Sequence, residues 1–353
     1  MSIVYTLIAF VCYFLGAKKI KMVSLDVIQQ LKNSGLTGRG GAGFPTWKKW
    51  QIVHDEKKFP KYVICNVSEG EPGVHKDEYL LDHHIDEVLD GILAAGEYIQ
   101  AERAYIYLRS DLFLRFKKNI ESRSTRTPLV CVKEEGGYIS GEESTLISVI
   151  EGSLAQPKIR PPFPTQKGLF GKPTLVNNCE TFYVASKVLQ KTYTHTRLYT
   201  ISGNVAHEGV FERSDTETIA DILKATGNMP DFDFFVQVGG GASGPILLSS
   251  ELHVPVPGSG AIIVYDRKAV KPFELLNSWV DFFMQQNCDK CVPCREGLYR
   301  ISEMIKKEKI DNDVLQDILF TLMSTSFCPL GRSVPVPIIT FIEKILYAKN
   351  TAD

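Results

Sequence analysis

Residues 287–297 read NCDKCVPCREG and residues 324–332 read STSFCPLGR, so three closely spaced cysteines are followed by a fourth after 33 residues. Cys288, Cys291 and Cys294 stand at successive CxxC steps. Three such thiolates can hold one face of a cuboidal iron–sulfur cluster, and Cys328 would complete the ligand set. Structural zinc usually takes its ligands from two separated pairs, so the spacing favours one [4Fe–4S] cluster over zinc and over unliganded core thiols.

The composition is that of an ordinary globular chain. Its 353 residues are 44% hydrophobic and 23% charged, which allows two or three domains. A formal net charge of −1 and the lack of a dense basic run give no reason to expect nucleic acid. Eight cysteines are too few for a disulfide scaffold, which indicates a reducing, cytoplasmic compartment. Buried reduced thiols are expected at Cys12, Cys65, Cys131 and Cys179.

The first 21 residues differ from the rest. Residues 3–17 are almost entirely apolar, and three lysines stand within the next four positions. The stretch is shorter than the roughly 20 residues of a spanning helix and lacks the basic start and cleavage site of a signal peptide. Three interpretations stay open: an upstream start codon before a natural start at Met22, a membrane anchor with the chain on the cytoplasmic side, or a buried helix.

Alternating helices and strands between residues 22 and 194 predict an α/β domain with a parallel sheet. Strands are predicted at 62–65, 104–108 and 129–132, and helices at 24–34, about 82–101 and about 111–121. A run rich in proline and glycine at 160–174 predicts an irregular connection. The loops at the carboxyl ends of parallel strands are then available for a ligand.

Two further domains are predicted after residue 194. Residues 195–268 combine several short strand patterns with one helix, TIADILKAT, which indicates a small β-grasp-like domain. Residues 269–353 have a helical pattern with the four cysteines between helices, as in an all-α bundle.

A glycine-rich loop begins at Gly35 and has five glycines and Arg39 within nine residues. Successive backbone N–H groups in such a loop can bind a phosphate, helped by Arg39 or by the lysines at 48 and 49. The loop lacks the GK[ST] ending of a Walker motif and does not directly follow a strand, so alone it could be a mere turn. Beside an iron–sulfur site it suggests a phosphate-bearing redox cofactor, either flavin or nicotinamide.

Two acidic loops follow predicted strands, NVSEGEPG at 66–73 and GEE at 141–143. An acidic side chain beside a redox dinucleotide accepts hydrogen bonds from the ribose 2′-OH and repels a 2′-phosphate, which favours NAD over NADP. The alternative is that these acids are solvated loop residues.

Six motifs occur in a fixed order: GLTGRGGAGFPTWKKW, YVICNVSEGEPGVHKDEYLL, YISGEES, RPPFPTQKGLFGKPTLVNNCET, CDKCVPCREG and SFCPLG. From about residue 24 to 345 the chain resembles the flavin- and NADH-binding subunit of respiratory complex I. That family includes the diaphorase subunits of NAD-linked hydrogenases and formate dehydrogenases. The resemblance implies a Rossmann-like FMN domain, a ubiquitin-like β-grasp domain and an all-α helical bundle with one [4Fe–4S] cluster.

The resemblance also implies roles for individual residues. Glu71 is expected near the nicotinamide and Glu142 near the flavin, as the catalytic acids. Glu143 is expected at the adenosine ribose, and Phe44 and Phe163 are expected to stack on the adenine. The other implied cofactor-binding residues are Gly38, Arg39, Gly40, Gly41, Lys49, Asn66, Glu69, Tyr138, Gly141, Arg160, Asn177, Asn178 and Thr181, and the implied cluster ligands are Cys288, Cys291, Cys294 and Cys328.

The function implied is an NADH-oxidising electron-entry subunit, in which hydride passes from NADH to FMN and single electrons pass to the cluster. With no second cysteine cluster in the sequence, the expected partners are a thioredoxin-like [2Fe–2S] subunit and further iron–sulfur subunits, at the cytoplasmic face of a membrane. Contact with the membrane itself is indirect unless residues 1–21 are an anchor. One alternative is a diaphorase subunit of a hydrogenase or formate dehydrogenase, including bifurcating complexes. Another is a degenerate scaffold without FMN, suggested by Ser68 and Ile52, where the family usually has an acid and an aromatic residue.

Overall fold

The computed structural model describes residues 26–347. The apolar N-terminal segment and its three interpretations therefore lie outside the described residues, as does Cys12. Helix α1 occupies 26–33, within the predicted 24–34. No helix between residues 26 and 347 is long and apolar enough to cross a membrane.

The first sheet, called here the parallel sheet, has four strands in the order β3-β2-β1-β4, and all its pairs are parallel. β1 to β3 were predicted from their apolar runs. β4 was not, because its sequence TLVNN directly follows the Pro- and Gly-rich run and ends in two asparagines that favour turns. The strands are β1 (Tyr62–Val67), β2 (Arg103–Leu108), β3 (Leu129–Lys133) and β4 (Thr174–Asn178).

Seven helices accompany this sheet: α2 (Thr46–Asp55), α3 (Lys76–His83), α4 (Ile85–Ile99), α5 (Ser110–Glu121), α6 (Glu143–Ile150), α7 (Pro164–Lys167) and α8 (Cys179–Leu189). The single helix predicted at 82–101 is wrong at its start, because His84 has φ −139° and separates α3 from α4. α4 packs tightly on α8, since a Cβ at Gly91 would lie 2.7 Å from the carbonyl carbon of Phe182. Only glycine therefore fits at position 91, where α4 contacts α8.

The second sheet, called here the mixed sheet, has five strands in the order β6-β5-β9-β7-β8. β5 and β9 are parallel and the other pairs are antiparallel. Its helix α9 (Ile219–Ala225) begins with a capping box between Thr218 and Asp221. The strands are β5 (Thr196–Gly203), β6 (Gly209–Ser214), β7 (Phe234–Val238), β8 (Ile246–Leu248) and β9 (Ala261–Asp266). The short strand β8 was not predicted.

The remaining elements, called here the C-terminal helices, are α10 (Pro272–Gln286), α11 (Leu298–Lys306), α12 (Asn312–Thr325), α13 (Pro329–Ser333) and α14 (Pro335–Phe341), with π-helical turns at Pro293–Gly297 and Ile342–Leu346. Their core includes Trp279 and Phe283, and it also includes Phe235 and Ile246 of the mixed sheet. The C-terminal helices and the mixed sheet therefore share one hydrophobic core. The predicted combination of a parallel α/β sheet with a separate cysteine-bearing region is confirmed.

Candidate functional site

Because every pair in the parallel sheet is parallel, the carboxyl ends of β1 to β4 lie along one edge. The glycine-rich loop folds over this edge. It is closed by a hydrogen bond from the Gly38 N–H to the Phe44 carbonyl oxygen, at 2.9 Å. Gly41 and Gly43 have φ of +102° and +63°, which L side chains rarely adopt. The loop thus exposes backbone N–H groups in a conformation that suits a phosphate.

Two contacts fix the loop to the end of β4. The backbone N–H of Arg39 donates to the Thr181 hydroxyl at 2.9 Å. A Cβ at Gly40 would lie 3.2 Å from the Asn178 Cβ, so the backbone there approaches closely. The structure therefore brings together the implied residues of the glycine loop and those of the LVNNCET motif.

The guanidinium of Arg39 points towards the mixed sheet. Its Nη2 donates to the Tyr193 hydroxyl at 3.1 Å and to an oxygen of Asp215 at 3.4 Å. Its Nε is buried and has no hydrogen-bond partner among the described residues. Asp215, which lies 176 positions away in sequence, was missed because nothing local marks it as a partner.

The two acidic loops meet over the carboxyl ends of β1 and β3. The Asn66 side chain donates to the Gly141 carbonyl oxygen at 2.8 Å. Glu142 is the N-cap of α6, and one of its oxygens accepts from the backbone N–H groups of Ser144 and Thr145 at 3.0 and 2.9 Å. The other oxygen contacts Arg160. Glu142 therefore orders this helix, while its catalytic role stays a prediction.

Glu143 lies between two cations. The Lys49 ammonium is 2.6 Å from one carboxylate oxygen, and the Arg160 guanidinium is 3.3 Å from the other. Lys49 also donates to the Val176 carbonyl oxygen of β4 at 2.7 Å. The pairing orders a half-buried carboxylate at the rim of the site, where it can accept hydrogen bonds from a ligand hydroxyl.

Two aromatic side chains flank this rim. Phe44 is 42% exposed and Phe163 is 50% exposed. Phe44 precedes α2 and Phe163 precedes α7, and these helices pack against each other. Exposed aromatic rings of this size are available for stacking on a base.

A buried group of charges, called here the Lys76 cluster, lies beneath the rim. The Lys76 ammonium is only 2% exposed, and its Nζ lies 2.7 Å from Asp77, 3.6 Å from Glu180 and 3.7 Å from Glu69. It also donates to the Asn178 amide oxygen at 3.0 Å. Burial lowers the pKa of Lys76, but the carboxylates outweigh it and raise that pKa overall, so the ammonium stays charged.

Three carboxylates around one ammonium leave excess negative charge. Burial, followed by the charge of Asp77, raises the pKa of Glu69 to about 8, so Glu69 holds a proton at neutral pH. The second oxygen of Glu69 accepts from the backbone N–H of Asp77 at 2.9 Å. Sequence reasoning missed the cluster, because Lys76 and Asp77 stand in a charged stretch that normally lies in solvent.

Glu71 is held by donors from two directions. One oxygen accepts from the backbone N–H groups of Ala242 and Ser243, both at 3.0 Å, and from the Ser243 hydroxyl at 2.9 Å. The other accepts from the Tyr138 phenol. Burial, with the nearby charge of Glu71 adding to it, raises the pKa of Tyr138, so the phenol remains a donor.

Tyr138 also touches the C-terminal helices. Its backbone N–H donates to the Gln286 side chain at 2.8 Å, and its ring packs on Phe282 with centroids 5.1 Å apart. Both partners belong to α10. Glu71 and Tyr138 therefore form a junction at which the parallel sheet, the mixed sheet and the C-terminal helices meet.

The four cysteines predicted as ligands lie in one hydrophobic core. Cys291, Cys294 and Cys328 are buried, and Cys288 is half-buried. Cys294 stands in the π-helical turn after Pro293, and Cys328 directly precedes α13. No three His, Cys, Asp or Glu side chains between residues 26 and 347 converge as ligands of a single metal ion.

The surroundings of these thiols fit an iron–sulfur cluster. A Cβ at Gly331 would lie 2.5 Å from the Cys294 sulfur, so the chain after Cys328 turns closely around that thiol. The buried Ser326 hydroxyl beside it has no hydrogen-bond partner among the described residues. Burial raises the pKa of both Cys294 and Cys328. Soft donors in an apolar site that is costly to ionise without a metal suit a thiolate-bound cluster.

Two family models match separate parts of the chain. Residues 31–187 match the Nuo51 FMN-binding domain. Residues 274–345 match the NADH-ubiquinone oxidoreductase-F iron-sulfur binding region. The prediction of an FMN site and a [4Fe–4S] site in one chain is therefore confirmed.

Relatives match nearly the whole chain. The F subunit of NADH-quinone oxidoreductase from Streptomyces coelicolor is 32% identical over 92% of this chain and 82% of its own length. The NAD-reducing hydrogenase HoxS subunit alpha of Cupriavidus necator is 31% identical over 90% of this chain, which spans only 59% of that relative. A solved structure of an NAD+-reducing [NiFe]-hydrogenase in the H2-reduced state has a TM-score of 0.85 at 30% identity, over 92% of this chain and 63% of that one.

Proposed function

This chain belongs to the family of NADH-quinone oxidoreductase F subunits, and from that premise we propose that it is the component through which electrons from NADH enter a larger redox complex. It is an NADH-oxidising flavin and iron–sulfur enzyme. When bound, FMN would supply the chemistry that couples two-electron oxidation of NADH to one-electron reduction of the [4Fe–4S] cluster. The protein would orient the cofactors, set the electrostatic environment around them and provide the route by which electrons leave the chain.

The observation that carries this proposal is the junction at Tyr138. One side chain donates to a carboxylate of the acidic loop and packs on α10, the helix that leads into the cysteine motif. Tyr138 thus connects the acidic loop, whose residues would hold the flavin and the nicotinamide, to the helix before the cysteines that would hold the cluster. If the two cofactor sites acted independently, no direct contact between the acidic loop and α10 would be required.

The rim residues are proposed to bind the nucleotide. Glu143, held between Lys49 and Arg160, would accept hydrogen bonds from the adenosine ribose, while Phe44 and Phe163 stack on the adenine. The loop with Gly38, Arg39, Gly40 and Gly41, together with Asn66, Gly141, Asn177, Asn178 and Thr181, would hold the flavin and its phosphate.

Glu71 and Glu142 are proposed as the acids that position the reacting groups. Both oxygens of Glu71 accept hydrogen bonds, and Glu142 uses one oxygen to cap α6 and the other to contact Arg160, which suits orientation rather than proton transfer. Glu69, with its raised pKa, is the better proton-holding group on this edge. Its proton would limit the negative charge that builds up beside a reduced flavin.

The finer division of the chain is part of the proposal. Residues 22–194 would form the Rossmann-like FMN domain, residues 195–268 the β-grasp domain, and residues 269–353 the all-α iron–sulfur bundle. The order of the mixed sheet and its single helix support the second assignment. The shared core of Phe235 and Ile246 with the C-terminal helices indicates that the last two domains are firmly joined.

A partner must receive the electrons. Phe320, Met323 and Phe327 are 71%, 46% and 49% exposed and lie on α12 and the short segment between it and Cys328. Exposed apolar side chains beside a cluster ligand are the features of a contact surface. We place an iron–sulfur protein there, the thioredoxin-like [2Fe–2S] partner or a further component of the complex.

The test is anaerobic reconstitution with FMN, iron and sulfide, followed by titration with NADH. Bleaching of the flavin at about one NADH per flavin, together with the paramagnetic signal of a reduced cluster, is expected. If the chain binds no flavin, or if NADH does not reduce its flavin, the chain would instead be the degenerate scaffold.

The likeness to NAD-reducing hydrogenases favours a second assembly for the same chain. There the flavin would also return hydride to NAD⁺. Reduction of NAD⁺ by the reconstituted protein with a low-potential electron donor would support that direction.

A further inference from the structure

The 239–244 loop, GGGASG, connects β7 to β8 and reaches from the mixed sheet into the acidic loop of the parallel sheet. Its Gly241 N–H donates to the Pro72 carbonyl oxygen at 3.0 Å, next to the three donors that Ala242 and Ser243 direct at Glu71. No sequence motif singled out this loop.

The loop makes this contact because of its glycines. A Cβ at Gly240 would lie 2.7 Å from the Glu71 carboxyl carbon, and a Cβ at Gly241 would lie 2.6 Å from the Ile263 side chain. Distances below 3.0 Å force a displacement, so side chains at these positions would push the loop and the carboxylate apart. The glycines allow backbone N–H groups to approach the carboxylate directly.

The loop is also anchored independently of Glu71. The Gly244 N–H donates to the Gly240 carbonyl oxygen at 3.0 Å, and the Ser259 hydroxyl donates to the Gly239 carbonyl oxygen at 2.6 Å. The Gln237 side chain donates to the Gly244 carbonyl oxygen at 3.2 Å. These bonds give the donors to Glu71 a fixed frame.

We infer that Ser243 is a positioning residue, through which the 239–244 loop sets the orientation of Glu71 towards the nicotinamide of NADH. The inference rests on the proposed function and adds to it a residue outside the FMN-binding region. Two backbone N–H groups hold one carboxylate oxygen in place, and the Ser243 hydroxyl with the Tyr138 phenol fixes the rotation of the carboxylate plane. A small rotation of a group that orients a hydride donor has a large effect on rate.

The test compares Ser243→Ala with the unaltered full chain, each reconstituted with FMN and cluster. Anaerobic stopped-flow measurement gives the rate of flavin reduction at saturating NADH. Loss of one hydrogen bond to a charged group should lower this rate roughly tenfold, with flavin content and cluster signal unchanged. Ser243→Thr keeps the hydroxyl and should recover most of the rate.

Ser259→Ala is the matched control, because it removes a hydroxyl that anchors the same loop without touching Glu71. It should change the saturated rate less than twofold, because the Ser259 backbone N–H also donates to the Gly239 carbonyl oxygen at 2.9 Å and keeps that anchor. An equal loss in Ser259→Ala and Ser243→Ala would overturn the inference, since general loosening of the loop would then explain both. Gly240→Ala, which displaces the carboxylate sterically, gives a second route should Ser243→Ala not fold.

A double variant decides whether Ser243 acts through Glu71. In a Glu71→Ala background, adding Ser243→Ala should cost no more than twofold, because the carboxylate is already gone. A further tenfold loss there, or an undiminished rate in Ser243→Ala alone, would contradict the inference. Failure of NADH to bleach the flavin of the unaltered chain would refute the proposed function itself, and the inference with it.

Discussion

The carboxyl edge of the parallel sheet and the four-cysteine site differ in how their buried polar groups are stabilised. At the edge, the Lys76 cluster buries one ammonium among three carboxyl groups, so both signs of charge come from the chain itself. At the cysteines, the thiols lie in an apolar core, and burial raises the pKa of Cys294 and Cys328. The first site is ordered by charges that the chain carries, whereas the second needs a cofactor to complete it.

Substitutions at the two sites should therefore have different consequences. Removing one member of a buried charge network leaves the remaining charges without a partner. A substitution at the edge should therefore lower the free energy of unfolding. Removing one thiol should appear as lost metal, with the flavin side intact. The following predictions separate the two sites on that basis.

The largest effect is expected for Cys291→Ser. Loss of one thiolate from the proposed ligand set should abolish the cluster signal while flavin remains bound, because the FMN-binding family model and the iron–sulfur family model match separate parts of the chain. Iron content and flavin absorbance of the purified variant measure this. Cys131→Ser, at a buried thiol outside the motif, is the control and should keep both cofactors; full retention of iron in Cys291→Ser would refute the ligand assignment.

Lys76→Met should lower the free energy of unfolding by about 3–5 kcal/mol, since buried carboxylates lose their cation. Urea unfolding of the flavin-binding region, followed by flavin fluorescence, measures the change. Lys48→Met, at an exposed lysine, should cost almost nothing. A loss below about 1 kcal/mol for Lys76→Met would mean that the cluster gains little from its lysine.

The proton on Glu69 gives a pH dependence. The pKa of Glu69 is about 8 in the folded protein against an ordinary value of 4.5, so the folded state binds the extra proton between these values. The stability that this group contributes is therefore full below pH 4.5 and is lost as the pH rises towards 8, by at most about 1.4 kcal/mol per unit. Glu69→Gln should flatten this slope in unfolding measured from pH 5 to 8, and an unchanged slope would assign the proton to another group.

The smallest effect is expected for Glu143→Gln. Removing its charge should raise activity with NADPH relative to NADH by roughly 2- to 10-fold, a modest factor because Lys49 and Arg160 already offset that charge. Initial rates with both nucleotides give the ratio. Glu151→Gln, at an acid that pairs with Lys158 instead, should leave the ratio unchanged, and an unchanged ratio in Glu143→Gln would remove it from the ribose site.

The sequence predicted those features that depend on neighbouring residues. The apolar runs of β1, β2 and β3, the CxxC spacing and the glycine loop are all local patterns. β4 was missed, because five residues ending in two asparagines carry too little apolar signal to be distinguished from a loop. The break at His84 was missed for a similar reason, since the apolar pattern continues across it.

Partners brought together by the fold could not be predicted in this way. Asp215 for Arg39, Glu180 for Lys76 and Ser243 for Glu71 each lie more than 100 positions from the residue they serve. Composition around them is ordinary, and only the approach of distant elements gives them their roles. The resemblance to a known family implied which residues contact the cofactors, but it did not indicate Asp215, Glu180 or Ser243, which position some of those residues.

The residues that meet at Glu71 are synthesised at widely separated times. The ribosome makes Glu71 171 residues before Ala242, and it makes Tyr138 148 residues before Gln286. A growing chain can thus complete its parallel sheet while Glu71, the acid proposed to lie near the nicotinamide, still lacks the donors of Ala242 and Ser243. Those donors and the four cysteines proposed as cluster ligands are synthesised within the same final third of the chain. We therefore expect a chain that ends before residue 239 to lack both the loop that orients Glu71 and the cysteines proposed as cluster ligands.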